Sequence, residues 1–185
     1  MLGYHGCDAK IAERLLAGEP FRQSENNYDW LGHGIYFWEA NPKRGLDYAH
    51  ELKARGSRPK IKKPDVVGAV IDLGLCLDLT ASASIAHVRI AYESVSAAAA
   101  QNSVPLPKNS EDGLRRHLDC FVIEALHDIR KDASELPLDS LKGVFVEGSP
   151  IYPKSGFYEK THIQICVRNP ECIKGVFRVP DRFLS

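Results

Sequence analysis

The chain has 185 residues, 44% of them hydrophobic and 26% charged, so it suits one globular domain whose core needs no disulfide support. Its 24 Lys and Arg residues balance 24 Asp and Glu residues, which gives no electrostatic reason to expect a nucleic-acid or anionic-membrane partner. The five cysteines include no Cys-x-x-Cys pair and the N-terminal stretch is polar, which predicts free thiols and a cytoplasmic location. No apolar run approaches the roughly 20 residues that span a bilayer, so no membrane segment is expected.

The chain is expected to begin with a strand and a helix. "MLGYHG" predicts a short strand that runs into a turn. "DAKIAERLLAGE" predicts a helix with Asp8 as its N-cap and Gly18 at its end, because Asp caps orphan backbone N–H groups and Gly adopts the left-handed conformation that ends helices.

A strand, a helix and a further strand are predicted next. "GIYFWE" is strand-like, and "NPKRGLDYAHELKAR" opens with the Asn-Pro pair that is typical of a helix start. "DVVGAVIDLG" is the clearest strand because Val and Ile favour the pleated backbone. The basic segment Lys53–Lys63 between them is interpreted as a solvated loop.

The middle of the chain is predicted to be helical, and we interpret residues 80–135 as a helical insertion. "TASASIAHVRIAYESVSAAAAQN" is rich in alanine, with Thr80 or Ser82 as its cap. "EDGLRRHLDCFVIEALHDIRKD" predicts an amphipathic helix. Its apolar face is expected to comprise Leu114, Leu118, Phe121, Val122 and Leu126.

The C-terminal third predicts three strands, "KGVFVEG", "THIQICVRN" and "CIKGVFRV". The chain as a whole lacks the regular strand–helix alternation of a doubly wound parallel sheet. We therefore expect a single α+β domain over residues 1–185, with a mainly antiparallel sheet.

The late strand "THIQICV" is expected to carry functional side chains on one face. Alternation puts Thr161 and three apolar residues on one face and His162, Gln164, Cys166 and Arg168 on the other. His162 and Gln164 are therefore predicted to point together, away from the core.

The segment "NNYDWLGHGIYF" concentrates aromatic residues around two glycines, Gly32 and Gly34. Glycine lets a backbone amide approach a ligand closely, and aromatic rings can hold a flat cationic ring by stacking and cation–π attraction. The same composition is also typical of a packed hairpin. The aromatic residues are Tyr28, Trp30, Tyr36 and Phe37.

The order of these features resembles the ADP-ribosyltransferases of the diphtheria-toxin and poly(ADP-ribose)-polymerase type. His5-Gly6 ends an early strand, Tyr36 closes the aromatic and glycine segment, and Tyr48 follows on the next helix. The likeness covers roughly the first fifty residues well and the last forty loosely. It implies two mainly antiparallel sheets that form an NAD cleft flanked by helices.

The resemblance also implies roles for these residues. His5 matches the histidine that hydrogen-bonds the donor's ribose, and the backbone of Gly6 matches the clamp on the nicotinamide amide. Tyr36 and Tyr48 match the two tyrosines that stack on the nicotinamide ring, with Gly34 beside them at the NAD site. The implied activity is mono-ADP-ribosyl transfer, with NAD as co-substrate and no metal.

One position departs from the family pattern. Gln164 stands where the family carries a glutamate on the late strand. Gln164 can hydrogen-bond a ribose hydroxyl but carries no charge, so it would stabilise a positive transition state less well. Gln164 itself is the residue expected at the reacting ribose, but Glu159 or Glu147 could fill the role of the acid, or the domain could only bind the nucleotide.

The acceptor is not specified by the sequence and is expected to be a protein or a nucleic acid. Phe157 and Tyr158, in the loop before the late strand, occupy the place where family members contact the acceptor. Three alternatives stay open: an inactive NAD- or ADP-ribose-binding module, a plain interaction domain with no nucleotide, and RNA 2′-phosphotransferase chemistry on a similar fold.

Overall fold

Seven strands and four helices occur in the computed structural model, which describes residues 1–56 and 60–184. The predicted α+β class is confirmed. The strands are β1 Leu2–Asp8, β2 Ile35–Glu39, β3 Pro64–Ile71, β4 Cys76–Asp78, β5 Ser140–Phe145, β6 His162–Val167 and β7 Ile173–Arg178. The helices are α1 Ala9–Leu16, α2 Pro42–Ala54, α3 Ser82–Gln101 and α4 His117–Asp132, with short 3₁₀ turns at Pro170–Cys172 and Asp181–Phe183.

The strands form one mixed sheet in the order β4-β5-β6-β2-β1-β3-β7. Two sheets were expected, but hydrogen bonds join all seven strands into one. Each neighbouring pair is antiparallel except β4–β5, which is parallel. The three-residue strand β4 was missed because it is too short to show an alternating pattern.

Both faces of the sheet are covered. On one face α1 packs on β1 and β3, where Ala12 and Leu15 meet Cys7 and Val67. On the other face α2 covers β1 and β3, while α3 and α4 cover β4, β5 and β6. The side chains of β2 therefore alternate between two cores, and Tyr36 and Trp38 lie on the face that carries α2, α3 and α4.

The first two helix starts follow the predicted local signals. Asp8 caps α1 and its Oδ1 accepts a hydrogen bond of 3.0 Å from the Lys10 N–H. Asn41 caps α2 in the same way through the Arg44 N–H, also at 3.0 Å. Gly18, with φ of +94°, follows the end of α1 as expected.

Two details of the helical segment were predicted wrongly. The residue that caps α3 is Ala81, without a side-chain hydrogen bond, because the Thr80 hydroxyl is bound to Asp78 at 2.7 Å. Helix α4 begins only at His117, so Leu114 precedes it and is 37% exposed. Phe121 is also on the outside, 43% exposed. The buried residues of α4 are Cys120, Val122, Ile123 and Leu126.

Two further sequence predictions concern charge and membranes. The basic segment Lys53–Lys63 begins with the last two residues of α2 and ends just before β3, and residues 57–59 within it lie outside the described part of the chain. No helix among the described residues is long and apolar enough to cross a bilayer.

Candidate functional site

Three neighbouring strands and one helix carry the predicted site residues. His5 and Gly6 lie in β1, Tyr36 lies in β2 and Gln164 lies in β6. Tyr48 lies on α2, which packs against β1 and β2. Strand β2 is hydrogen-bonded to both β1 and β6, so residues from both ends of the chain are brought to the centre of the sheet.

His5 is tied to the strand that carries Tyr36. Its Nδ1 lies 2.9 Å from the Tyr36 carbonyl oxygen, and because a carbonyl only accepts, Nδ1 carries the proton. Its ring packs against Phe21 and Phe37, with centroids 5.4 and 5.7 Å away. Burial lowers the pKa of His5, and the bond to Tyr36 opposes this only in part, so the imidazole is neutral with Nε2 as an acceptor.

Gly6 lies where α2 crosses β1. A Cβ built on Gly6 would lie 1.9 Å from the Gly45 carbonyl oxygen, so only glycine allows this close approach. The contact gives Gly6 a structural role in packing that the sequence did not reveal, because Gly45 is 39 positions away along the chain.

The Tyr36 hydroxyl is bound within its own loop. It donates to the Gly32 carbonyl at 2.7 Å and accepts from the Leu31 N–H at 3.1 Å. Burial raises the pKa of this phenol well above its ordinary value. Gly34 closes the same loop by pairing with Ser24, and a Cβ on Gly34 would lie 2.5 Å from the Cys166 sulfur. The aromatic segment therefore packs as a closed loop against β6.

Tyr48 is covered by a residue that sequence reasoning did not select. The Trp38 and Tyr48 rings lie 4.8 Å apart between centroids at an angle of 46°, and Trp38 is only 3% exposed. The Trp38 indole thus occupies one side of Tyr48, where a ligand ring was expected. Burial raises the pKa of Tyr48 to about 12. The signal for this contact was the position of Trp38, two residues from Tyr36 on the same face of a strand.

Gln164 is oriented by Trp30. The indole Nε1–H donates to the Gln164 Oε1 over 2.5 Å. Indole nitrogen is only a donor, so the atom it meets must be the amide oxygen, and the NH₂ group of Gln164 is directed elsewhere. The Trp30 ring packs closely on the backbone of Gly143, where a Cβ would come within 2.7 Å of the ring. Trp30, Tyr36, Tyr48 and Gln164 all remain partly exposed.

His162 does not point away from the core as predicted. It is 6% exposed, packs against Phe145 at 5.5 Å, and its Nδ1 is bound to the Lys160 carbonyl at 2.5 Å. The prediction failed because the second face of β6 is also buried, by Trp38 and Phe145 at His162 and by α4 at Cys166. Gln164 and Arg168, which were predicted on the same face, stay partly exposed, whereas Cys166 is fully buried.

The carboxylates of Glu147 and Glu159, the two alternatives to Gln164, accept hydrogen bonds from other residues. The Glu147 carboxylate accepts from Arg44 Nη2 at 2.8 Å, and Arg44 is 7% exposed. Glu51 lies 3.4 Å from the same guanidinium. Glu159 accepts from the Ser149 backbone N–H at 3.1 Å. A cavity of about 220 Å³ lies beside this network, lined in part by Arg44, Glu51, Glu159 and Lys160.

An ion-pair clamp fixes the aromatic loop to α4. Arg168 binds both carboxylate oxygens of Glu124, at 2.6 and 3.2 Å, and Glu124 accepts from the His33 backbone N–H at 2.8 Å. A bidentate, partly buried pair of this kind is among the stronger charged contacts. Sequence reasoning missed it because its members come from three separate parts of the chain.

The predicted acceptor residues lie on an exposed loop. Phe157 is 67% exposed and Tyr158 is 36% exposed, with Tyr158 paired to Pro150. In residues 1–56 and 60–184, no group of three or more His, Cys, Asp or Glu side chains is arranged to hold a metal ion.

No family model matches the chain, and no solved structure matches it. A 36-residue segment is 44% identical to a protein of Methanocaldococcus jannaschii that is named only as uncharacterized. The match spans 20% of this chain and 17% of that protein. The likeness is local and carries no functional information.

Proposed function

We propose that this chain is an NAD-dependent mono-ADP-ribosyltransferase, which transfers ADP-ribose from NAD to an acceptor and releases nicotinamide. The observation that carries the proposal is the position of β2 between β1 and β6. This order brings His5, Gly6, Tyr36 and Gln164 to adjacent strands, although they come from opposite ends of the sequence. Tyr48, on the helix that covers the same strands, lies on the face of Tyr36 and Gln164, whereas the His5 ring lies on the opposite face beside Phe37.

The NAD cleft of this proposal lies where β1 and β2 separate. These strands pair at only two positions, Gly3 with Glu39 and Tyr4 with Trp38, whereas β1 pairs with β3 at seven. Beyond Tyr4 the link between β1 and β2 is the His5 side chain bound to the Tyr36 carbonyl. The sheet would thereby act as two halves, β4-β5-β6-β2 and β1-β3-β7, with the dinucleotide between them.

The chemistry is a substitution at the anomeric carbon of the nicotinamide ribose. The bond to the nicotinamide nitrogen breaks, and nicotinamide leaves with the bonding electron pair. The acceptor nucleophile bonds to the same carbon and gives up its proton. The protein's task is to position the donor and to stabilise the positive charge that develops on the ribose.

A second candidate function is NAD or ADP-ribose binding without transfer. It is favoured by Gln164, which is uncharged and whose amide oxygen is already bound to Trp30. Because the Trp38 ring covers one side of Tyr48, the nicotinamide must either use the other side or displace the indole. Both candidates require NAD to bind, and only the first requires nicotinamide release.

The test is to incubate the purified chain with NAD and to follow nicotinamide release by NMR, with NAD binding measured by calorimetry. Tyr36→Ala removes the ring, and Tyr36→Phe is the matched control because it keeps the ring and loses only the bonds to Leu31 and Gly32. We expect Tyr36→Ala to weaken NAD binding about tenfold or more, by loss of stacking, and Tyr36→Phe to weaken it much less.

The outcomes separate the candidates. Release that depends on the Tyr36 ring supports the transferase. Binding without release supports the nucleotide-binding module. If NAD binds neither the wild-type chain nor Tyr36→Phe, both candidates are wrong and the aromatic loop is a packing element.

A further inference from the structure

A cavity of about 410 Å³ lies between α3, α4 and β5, and none of the residues assigned to NAD lines it. Its volume falls within the roughly 300–1,000 Å³ that small-molecule sites occupy. Apolar side chains dominate its wall, and the charged residues there are Arg116 and Asp119. An apolar cavity with few polar groups is the usual form of a ligand site.

The helix over this cavity is incompletely buried. Of the 20 residues of α3, only Ala91 is buried. Tyr92, which lines the cavity, is 43% exposed, and Val146 on the opposite wall is 49% exposed. A bound apolar group would remove these side chains from water, which is favourable in proportion to the area covered.

Three aromatic rings shape the interior. Trp30 and Phe145 lie 5.1 Å apart between centroids with their planes at 60°, so they form a corner, and Tyr92 faces the same space from α3. Aromatic side chains favour flat rings in stacked or edge-on contact, which adds to the gain from burial alone.

Arg116 supplies a fixed positive charge at the wall. Its Nε donates to the Gly113 carbonyl at 2.5 Å and its Nη1 to Asp119 at 3.3 Å, while its Cζ lies 5.5 Å from the centre of the Phe145 ring. Nη2 takes part in neither of these bonds. Asp119 also accepts from Asn109 at 2.9 Å, so its charge is shared between two donors.

We propose that this cavity binds a small molecule that combines a flat aromatic ring with one anionic group, a carboxylate or a sulfonate. The ring occupies the corner between Trp30 and Phe145, and the anion meets the Arg116 guanidinium. His5 and Tyr36 do not line this site, but it shares Trp30 with the candidate transferase site, where Trp30 binds Gln164.

The test uses two fluorescent probes that share their rings and differ in charge. Anilinonaphthalene sulfonate carries the anion, and phenylnaphthylamine does not. We expect the sulfonate to bind the full chain saturably and phenylnaphthylamine to bind about tenfold more weakly, the difference expected for one charge-assisted contact. Arg116→Gln should weaken sulfonate binding by a similar factor and leave phenylnaphthylamine binding unchanged.

Matched variants serve as controls for unfolding and for nonspecific binding of the probes. Arg115→Gln removes the neighbouring guanidinium, which lies over Tyr28 instead, and should leave sulfonate binding unchanged. Val146→Phe enlarges a half-exposed residue of the cavity wall and should weaken the binding of both probes. Its control is Val104→Phe, which enlarges a residue that is 59% exposed and does not line the cavity, and which should leave the binding of both probes unchanged. A cooperative thermal unfolding transition, measured for each variant, checks that the variant is folded.

Three results would overturn the proposal. One is the absence of saturable sulfonate binding. Another is binding that neither Arg116→Gln nor Val146→Phe changes, which would place the probe elsewhere. The third is equal affinity for both probes, which would mean that the anionic group does not contribute to binding.

Discussion

At the scale of single residues, Gln164 decides what the candidate site can do. Trp30 binds one lone pair of its carbonyl oxygen, so Gln164 offers a ligand its NH₂ donor and one remaining acceptor lone pair. A donor suits an oxygen of a ribose but does not stabilise a positive ribose as a carboxylate would. If the proposed function is right, we therefore expect nucleotide binding with slow transfer.

Gln164→Glu tests this account of the site. A carboxylate at position 164 would still accept the Trp30 hydrogen bond, now charge-assisted, and would face the positive charge that develops on the ribose. We expect nicotinamide release to rise about tenfold to a hundredfold, the order of gain that one electrostatic group supplies. The measurement is the initial rate of release at saturating NAD.

Gln164→Leu is the control, because it removes hydrogen bonding at similar size and should leave release at or below the wild-type rate. An unchanged rate in Gln164→Glu, with NAD still bound, would mean that position 164 does not face the reacting ribose.

At the scale of secondary-structure elements, the packing of α2 on β1 positions Tyr48 relative to Tyr36. The helix approaches the strand closely because glycine lies on both sides, Gly6 on the strand and Gly45 on the helix. The side chains of Tyr4, Trp38 and Val66 surround Gly45. The position of Tyr48 thus depends on two residues that have no side chain.

Gly6→Ala should destabilise the protein strongly. The added methyl would meet the Gly45 backbone, which cannot turn aside as a flexible side chain can, so the helix must shift. We expect the free energy of unfolding to fall by about 2–4 kcal/mol, at the upper end for an overpacked core. Urea unfolding followed by tryptophan fluorescence measures it.

Gly175→Ala is the matched control, since Gly175 also lies in a strand and a Cβ there would meet nothing within 4 Å. It should be neutral or slightly stabilising. Similar losses in the two variants would show that the close approach of α2 is not the cause.

At the scale of the whole molecule, three buried or half-buried histidines link folding to pH. Burial lowers the pKa of His5 and His162, and it lowers the pKa of His127 to about 4. Below the ordinary histidine pKa of about 6.5, the unfolded chain therefore binds more protons than the folded chain. The free energy of unfolding must then fall as the pH drops.

We expect the loss to begin near pH 6.5 and to continue to about pH 4, where His127 becomes charged in the folded chain. Each histidine contributes at most about 1.4 kcal/mol per pH unit. Urea unfolding at several pH values measures the slope. His127→Gln should reduce it, whereas the exposed His87→Gln should not, and equal slopes in both variants would contradict the prediction.

Local features of the fold were predictable, and distant contacts were not. The caps at Asp8 and Asn41 follow from residue type and the next few positions, so they could be predicted from the sequence. The covering of Tyr48 by Trp38 depends on how a helix and a strand meet. Likewise the binding of Glu147 by Arg44 joins residues 103 positions apart, which no local pattern specifies.

The start of α4 also could not be predicted from the local sequence pattern. Leu114 has the right spacing for the apolar face, but the Arg116 side chain binds the Gly113 carbonyl and the chain turns there before the helix begins. Periodicity alone extended the helix past this turn.

The position of β6 in the sheet determines at what stage of synthesis the candidate functional site can assemble. β6 lies between β2, made early, and β5, made late, and it is hydrogen-bonded to both. On the ribosome, β2 has no partner on its β6 side until Val167 has emerged. A nascent chain therefore holds His5 and Tyr36 long before it acquires Gln164, and any activity that needs all three begins only after β6 has been made and has paired with β2.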